Sequence, residues 1–171
     1  SGPLIVLEVN GEGVGASVDL RPGDSIAVRA RAWSRRPIGK LQIVSNGEVL
    51  AEASTDGREA DLRAELPADV SRWFAARCST TDEYMPIRTP DERYTARPDM
   101  AHTSPVYVRV AGTRTFMEQD AQAILAIARY HAADVQNRGS FATDAQRAEA
   151  VAYFADAATR WEDLIAEHVG R

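Results

Sequence analysis

Residues 25–33 read SIAVRARAW, and the apolar positions alternate without a break. Ile26, Val28, Ala30 and Ala32 fall on one side, and Ala27, Arg29, Arg31 and Trp33 on the other. A period of two marks a half-buried strand. The pattern returns over residues 61–66, with Leu62, Ala64 and Leu66 on one face. It returns again over 71–79, where Phe74, Ala76 and Cys78 oppose Trp73, Ala75 and Arg77. Over 101–110, AHTSPVYVRV, the valines 106, 108 and 110 oppose Tyr107 and Arg109, which predicts one strand. Shorter extended stretches are expected at 3–9, 17–20, 38–45 and 48–54. Turn residues sit between them. Asn46-Gly47 joins two apolar runs, the strongest short hairpin signal, because a type I′ turn wants positive φ at both positions. Pro22-Gly23-Asp24, Thr55-Asp56-Gly57 and the glycine-rich 10–16 mark further turns. Seven or eight short strands at this spacing predict an immunoglobulin-like antiparallel β-sandwich over residues 1–110. The likeness is one of architecture only, since the Cys and Trp placement of antibody domains is missing.

Beyond residue 110 the period changes. Thr115 and Glu118 have capping-box spacing, as do Thr143 and Gln146. The first helix should stop at Gly139, with Ile124, Ile127, Ala128, His131 and Val135 on one stripe. The second carries Val151, Phe154, Ala158, Trp161, Ile165 and Val169 at spacings of three and four. The short link makes the helices antiparallel neighbours. Their expected seam sets Ile124, Ala128 and Val135 against Phe154, Trp161 and Ile165. The class is therefore α+β: a sandwich over 1–110, then a two-helix hairpin over 115–171 packed on it, as one structural unit.

One stretch has no period. Residues 80–102 carry Pro86, Pro90, Pro98 and many charges. An irregular loop of that length inside a domain is either functional or meets a partner. Tyr84 lies within it, and Asp99, His102 and Thr103 stand where it meets the following strand.

Composition narrows the function classes. The 171 residues carry a net charge of −5, with a single lysine, Lys40. That balance argues against a binder of nucleic-acid phosphates. Cys78 is the only cysteine, so no disulfide within the chain and no thiolate metal cluster is possible. No apolar run approaches a membrane span. No signal peptide is visible, and the chain opens SGPLIVLEV, straight into a strand, as a fragment of a larger protein would. Compartment and oligomeric state stay open.

The three histidines, His102, His131 and His168, are far apart and form no H-x-H or H-E-x-x-H motif. His131 is expected on the packed helix face, and His168 as a favourable charge near a helix C-terminus. His102 has two readings, a loop histidine at the mouth of a pocket or one that ties loop carbonyls together. Asp99, His102 and Ser104 do not make a triad by proximity in sequence. The glycines of GEGVG lack the helix that a dinucleotide loop needs. Trp33 and Trp73 form an aromatic platform if their strand faces point outward, and core if both faces are covered. His102, Thr103, Tyr84, Asp99, Trp33 and Trp73 are therefore the candidate ligand or interdomain contacts, with no catalytic or metal-ligating residue assigned.

Several stretches together carry a family resemblance: SGPLIVLEVNGEGVGASVDL, RPGDSIAVRARAWSRRPIGKLQIVSNGEVLA, WFAARC and AHTSPVYV. They resemble the C-terminal part of the CehA/McbA-type metallohydrolases of the PHP (polymerase and histidinol phosphatase) superfamily. In that family the metal ligands belong to an N-terminal PHP domain, to which nothing here corresponds. The resemblance implies a noncatalytic accessory domain that packs on, or shapes the entrance of, an absent catalytic domain. It implies a divalent metal there and no cofactor in this chain. The alternative is a ligand- or carbohydrate-binding β-sandwich module.

Overall fold

The structure is a computed structural model, and it describes residues 2–80 and 99–169. The chain divides into two compact units, Ser1–Thr115 and Phe116–Arg171.

The first unit is a two-sheet β-sandwich. One sheet holds β1 (Leu4–Val9), β2 (Glu12–Gly13), β4 (Ser25–Trp33) and β7 (Glu59–Pro67) in the order β2-β1-β4-β7, all antiparallel. The other runs β3 (Ser17–Leu20), β10 (Val106–Val110), β8 (Arg72–Ser79), β5 (Lys40–Ser45), β6 (Glu48–Ser54). A short β9 (Met100–His102) also pairs with β8. In this sheet β3 lies parallel to β10, and the other pairs are antiparallel. The inner faces of both sheets meet in one core, with Leu7, Val9, Ile26 and Val28 from the first and Leu41, Ile43, Phe74, Val106 and Val108 from the second. That shared core is why the alternation along β4, β7 and β8 is so regular: each strand has one wet and one dry face.

The turns follow their sequence signals. Asn46 and Gly47 have φ of 47° and 87°, and Ser45 pairs with Glu48. Asn10 and Gly11 repeat the device between β1 and β2, at 49° and 85°. The Asn10 side chain also grips β4, accepting from the Ala27 N–H at 2.7 Å and donating to the Ser25 carbonyl at 3.1 Å.

The segment expected as one strand over 101–110 is two. β9 pairs Arg77 with His102, whereas β10 pairs Phe74 with Val106, so the register slips by one residue between them. Residues 103–105 absorb the slip as a bulge, and Pro105, which has no N–H, sits where none is needed. Counting β2, β3 and β9, the described residues hold ten strands rather than seven or eight.

The second unit is the expected antiparallel pair, α1 (Glu118–Arg138) and α2 (Asp144–Val169). Gly139 ends α1 with its N–H on the Val135 carbonyl at 3.1 Å. Its φ is −63°, so glycine is required by space: a Cβ would lie 2.5 Å from the Val135 carbonyl oxygen. The second cap forms, with the Gln146 N–H donating to the Thr143 Oγ1 at 3.2 Å. The first does not. Met117 is the N-cap residue, no side chain caps α1, and the Thr115 hydroxyl is buried without a partner. The seam also differs from expectation. Ala121, Leu125 and Ala128 of α1 are buried, with Ala158 and Ile165 of α2. Ile124, Ile127 and His131 stay exposed, as does Val169. On α1 the seam stripe lies off to one side of the expected one, because alanines let two helices approach more closely than isoleucines do, while α2 presents its expected face, with Ala158 and Ile165 buried and Trp161 against them.

Candidate functional site

The second sheet places two of the six candidate residues, Trp73 and His102, on its outward face. Phe74, Ala76 and Cys78 of β8 point into the core, so Trp73, Ala75 and Arg77 point outward. Register then carries a row across four strands: Glu52 of β6, Gln42 of β5, Arg77 of β8 and His102 of β9. The row is wired together. Gln42, only 6% exposed, accepts from the Arg77 Nε–H at 2.7 Å and donates its amide to Glu52. Lys40 closes the end, 3.1 Å from Glu52. The hydrogen bond from Gln42, and next the one from Lys40, hold the Glu52 carboxyl below the usual carboxylate range. A fully bonded amide set between two opposite charges fixes both in place.

His102 is exposed at the far end of the row, with Nδ1 3.3 Å from the Thr103 carbonyl. Thr103 plays a structural part. It is 9% exposed, its N–H donates to the Ala76 carbonyl, and its Oγ1 accepts from the Ala76 N–H at 3.0 Å. The hydroxyl supplies the acceptor that the bulge takes away from the ladder. Asp99 is also structural. Thr80 N–H donates to the Asp99 carbonyl and Asp99 N–H to Thr80 Oγ1, both at 3.0 Å, while Arg36 lies 3.5 Å from its carboxylate. The irregular stretch expected over 80–102 therefore gives up residues 99–102 to the β8 ladder. Tyr84 and the rest of that stretch lie outside the described residues.

Trp33 and Trp73 do not form one platform, because Trp33 belongs to β4 in the first sheet and Trp73 to β8 in the second. Neither is core: both are half-buried on outward faces. Trp33 carries the Arg31 guanidinium over its ring at 5.5 Å. Trp73 instead opposes Tyr107 directly across β8 and β10, and Tyr107 is 43% exposed. Trp73 stands four residues along β8 from Arg77, roughly 13 Å at the usual strand rise.

The first sheet's outward face is a ladder of paired charges. Arg29 binds Asp61, Arg31 lies 3.3 Å from Glu8, and the Ser25 hydroxyl donates to Glu65 at 2.6 Å. A shallow trough of about 520 Å³ runs between Glu8, Arg29, Arg63 and Glu65. Its charges are largely spent on each other, and the hydrogen bond from Arg29 holds the Asp61 carboxyl below its ordinary value.

His168 fulfils its expected place, its Nδ1 2.8 Å from the Leu164 carbonyl in the last turn of α2. The GEGVG glycines belong to a hairpin and a turn followed by β3. Among the described residues no three His, Cys, Asp or Glu side chains converge as a metal ion requires. No described helix is long and apolar enough to cross a membrane. Cys78 is buried, and burial pushes its thiol up, away from the reactive thiolate.

The row through Gln42, Glu52 and Lys40 was absent from the sequence-based candidates, as was Tyr107. The available signal was strand parity, which places Gln42 and Arg77 on outward faces. It does not say that β5 and β8 are neighbours.

No protein-family model matches the chain, and no curated protein does. Among solved structures, the chain is similar to the fibronectin(III)-like modules of Clostridium thermocellum CbhA, at 17% identity and a TM-score of 0.36, over 60% of this chain and 94% of that one. It is also similar to the sulfur carrier protein SoxY from Chlorobium limicola f thiosulfatophilum, at 12% identity and a TM-score of 0.34, over 61% and 78% of the two chains. Likenesses at this level carry no argument about function. The sandwich rests on its own strand order and shared core.

Proposed function

We propose that this chain is a noncatalytic accessory module, an immunoglobulin-like sandwich with a helical hairpin, from the C-terminal part of a PHP-type metal-dependent hydrolase. The observation that carries the contact surface is the wired row Glu52–Gln42–Arg77–His102 on the outward face of the second sheet. It presents fixed charge and an exposed imidazole on a rigid strand scaffold, beside the clamped ends Thr80 and Asp99. That is a surface for holding a partner domain in one orientation, since rigid elements position contacts more precisely than loops do. On this reading the divalent ion belongs to the catalytic domain, and no chemical step is assigned to this chain. The parent is tested by the coding sequence upstream of Ser1. A run of H-x-H with further His and Asp ligands is expected, and its absence refutes the parent. The surface is tested by mixing that upstream domain with this chain. Arg77→Glu and His102→Glu should each weaken binding at least ten-fold, and unchanged binding refutes the surface.

A second reading takes the Trp73–Tyr107 pair as a stacking platform for a sugar or other small polar ligand. An NMR titration with a glycan panel distinguishes the two. Shifts confined to β8 and β10 favour the ligand module, and none at millimolar ligand removes it.

A further inference from the structure

The second unit buries little. Its seam is Ala121, Leu125, Ala128, Ala158 and Ile165, three of them alanines. Several large apolar side chains lie outside it: Tyr153 is 73% exposed, Tyr130 58%, Ile127 55% and Ile124 40%. They are not scattered. Four rings form a chain across both helices, Tyr153 edge-on to Phe154, Phe154 stacked on His131, His131 edge-on to Tyr130, each step 5.5 Å between centroids. Ile124 and Ile127 continue the patch along α1, at helical spacings from His131. At one margin on α1, Arg138 pairs with Asp134 and donates to the Tyr130 hydroxyl at 3.1 Å.

We propose that this face docks a second copy of the same hairpin, giving an isologous four-helix bundle. Three considerations point to a copy of itself. A two-helix unit with an alanine seam leaves an apolar stripe unburied, and a four-helix bundle is the arrangement that covers one stripe from each pair. A two-fold axis sets the patch against itself, so its apolar centre meets its own kind, with Arg138 already paired to Asp134 at one margin. The area is also of the right size. With side-chain areas of about 200 Å² each, the exposures of Tyr153, Tyr130, Ile127 and Ile124 amount to roughly 450 Å² per copy. Two copies come close to the ~1,000 Å² that a specific interface needs, before any flanking residue is counted.

Sedimentation equilibrium of the intact chain from 1 to 200 µM tests this. A monomer–dimer equilibrium is expected. Ile127→Glu should raise its dissociation constant at least ten-fold, while Tyr107→Glu on the sandwich leaves it unchanged. If Ile127→Glu loses helical ellipticity, Tyr153→Glu replaces it, because a side chain so exposed in the monomer is not needed for folding. A monomer at every concentration would overturn the proposal and leave the face to some other partner. So would a dimer that survives both helix variants, or one that Tyr107→Glu dissociates.

Discussion

The two units reach order by unequal means. In the sandwich, Phe74, Leu7, Ile26, Ile38, Leu41 and Ile43 are all but fully buried, and strands distant in sequence share one core. In the hairpin, among the described residues, Leu125 and Ile165 are the large side chains that are buried, alongside three alanines, with Phe116 and Trp161 partly buried against them. Apolar burial stabilises by about 25 cal/mol per Å², so the sandwich has much the larger reserve. The hairpin relies on helix propensity and on exposed ion pairs such as Arg129–Glu162 between its helices, which contribute little in water. Apolar content thus does not decide burial: the alanine-rich helical unit is the under-buried one, and the sandwich is self-sufficient.

The largest expected effect sharpens that contrast. Phe74→Ala opens the sandwich core and should cost about 3–5 kcal/mol, read as a fall in the urea midpoint of the β signal. Leu125→Ala should abolish much of the helical ellipticity while leaving the midpoint of the β signal in place. If Leu125→Ala lowers both signals together, the two units fold as one and the contrast fails.

Thr103→Val comes next. It keeps the shape and removes the acceptor for the Ala76 N–H, leaving a buried donor unpaired. A loss of about 1–3 kcal/mol is expected, with faster exchange of the Ala76 amide. An unchanged Ala76 amide would mean that the bulge is not held by that hydroxyl.

Smaller effects concern surface charge. Asp61 and Glu52 have folded-state pKa values below their ordinary ones, held there by Arg29 and by Gln42 with Lys40. Their contribution is complete above the ordinary carboxylate pKa of about 4 and is lost as pH falls through the lower folded values. Stability measured from pH 5 down to pH 2 should therefore drop less steeply in Arg29→Gln than in the parent chain, and parallel curves would remove the pair from the account. The smallest is chemical. Cys78 should resist a thiol reagent at pH 8 in the folded chain and react at once in denaturant, since its side chain is buried and its thiol pushed up. Labelling of the folded chain would show the sandwich opening far more often than its core implies.

Much of the sandwich was legible in the sequence because a strand between a core and solvent writes its two faces at period two. The limits of β4 and β6, both faces of β8 and the Asn46-Gly47 turn follow from local rules alone. What failed was non-local or quantitative. Strand order decides that Trp33 and Trp73 belong to different sheets, and no local pattern carries it. The bulge at 103–105 follows from a register mismatch that only both pairings of β8 reveal. In the helices the period was right and α2 kept its expected phase, while the stripe of α1 shifted, because alanine counts as weakly apolar yet sets where helices approach most closely. The Thr115 cap failed because α1 begins at Glu118, one residue after its N-cap, Met117. Of the candidate site, His102 and Trp73 lie on outward faces, Thr103 and Asp99 hydrogen-bond within the sandwich, and the Gln42 row was invisible without the strand order.

Native-state hydrogen exchange at low micromolar concentration tests the inequality of the two units most directly. Amides of β1, β4, β5 and β8 should exchange only through global unfolding, while those of α1 and α2 exchange at a lower opening free energy, in line with their thin seam. Equal protection in strands and helices at that concentration would contradict the account.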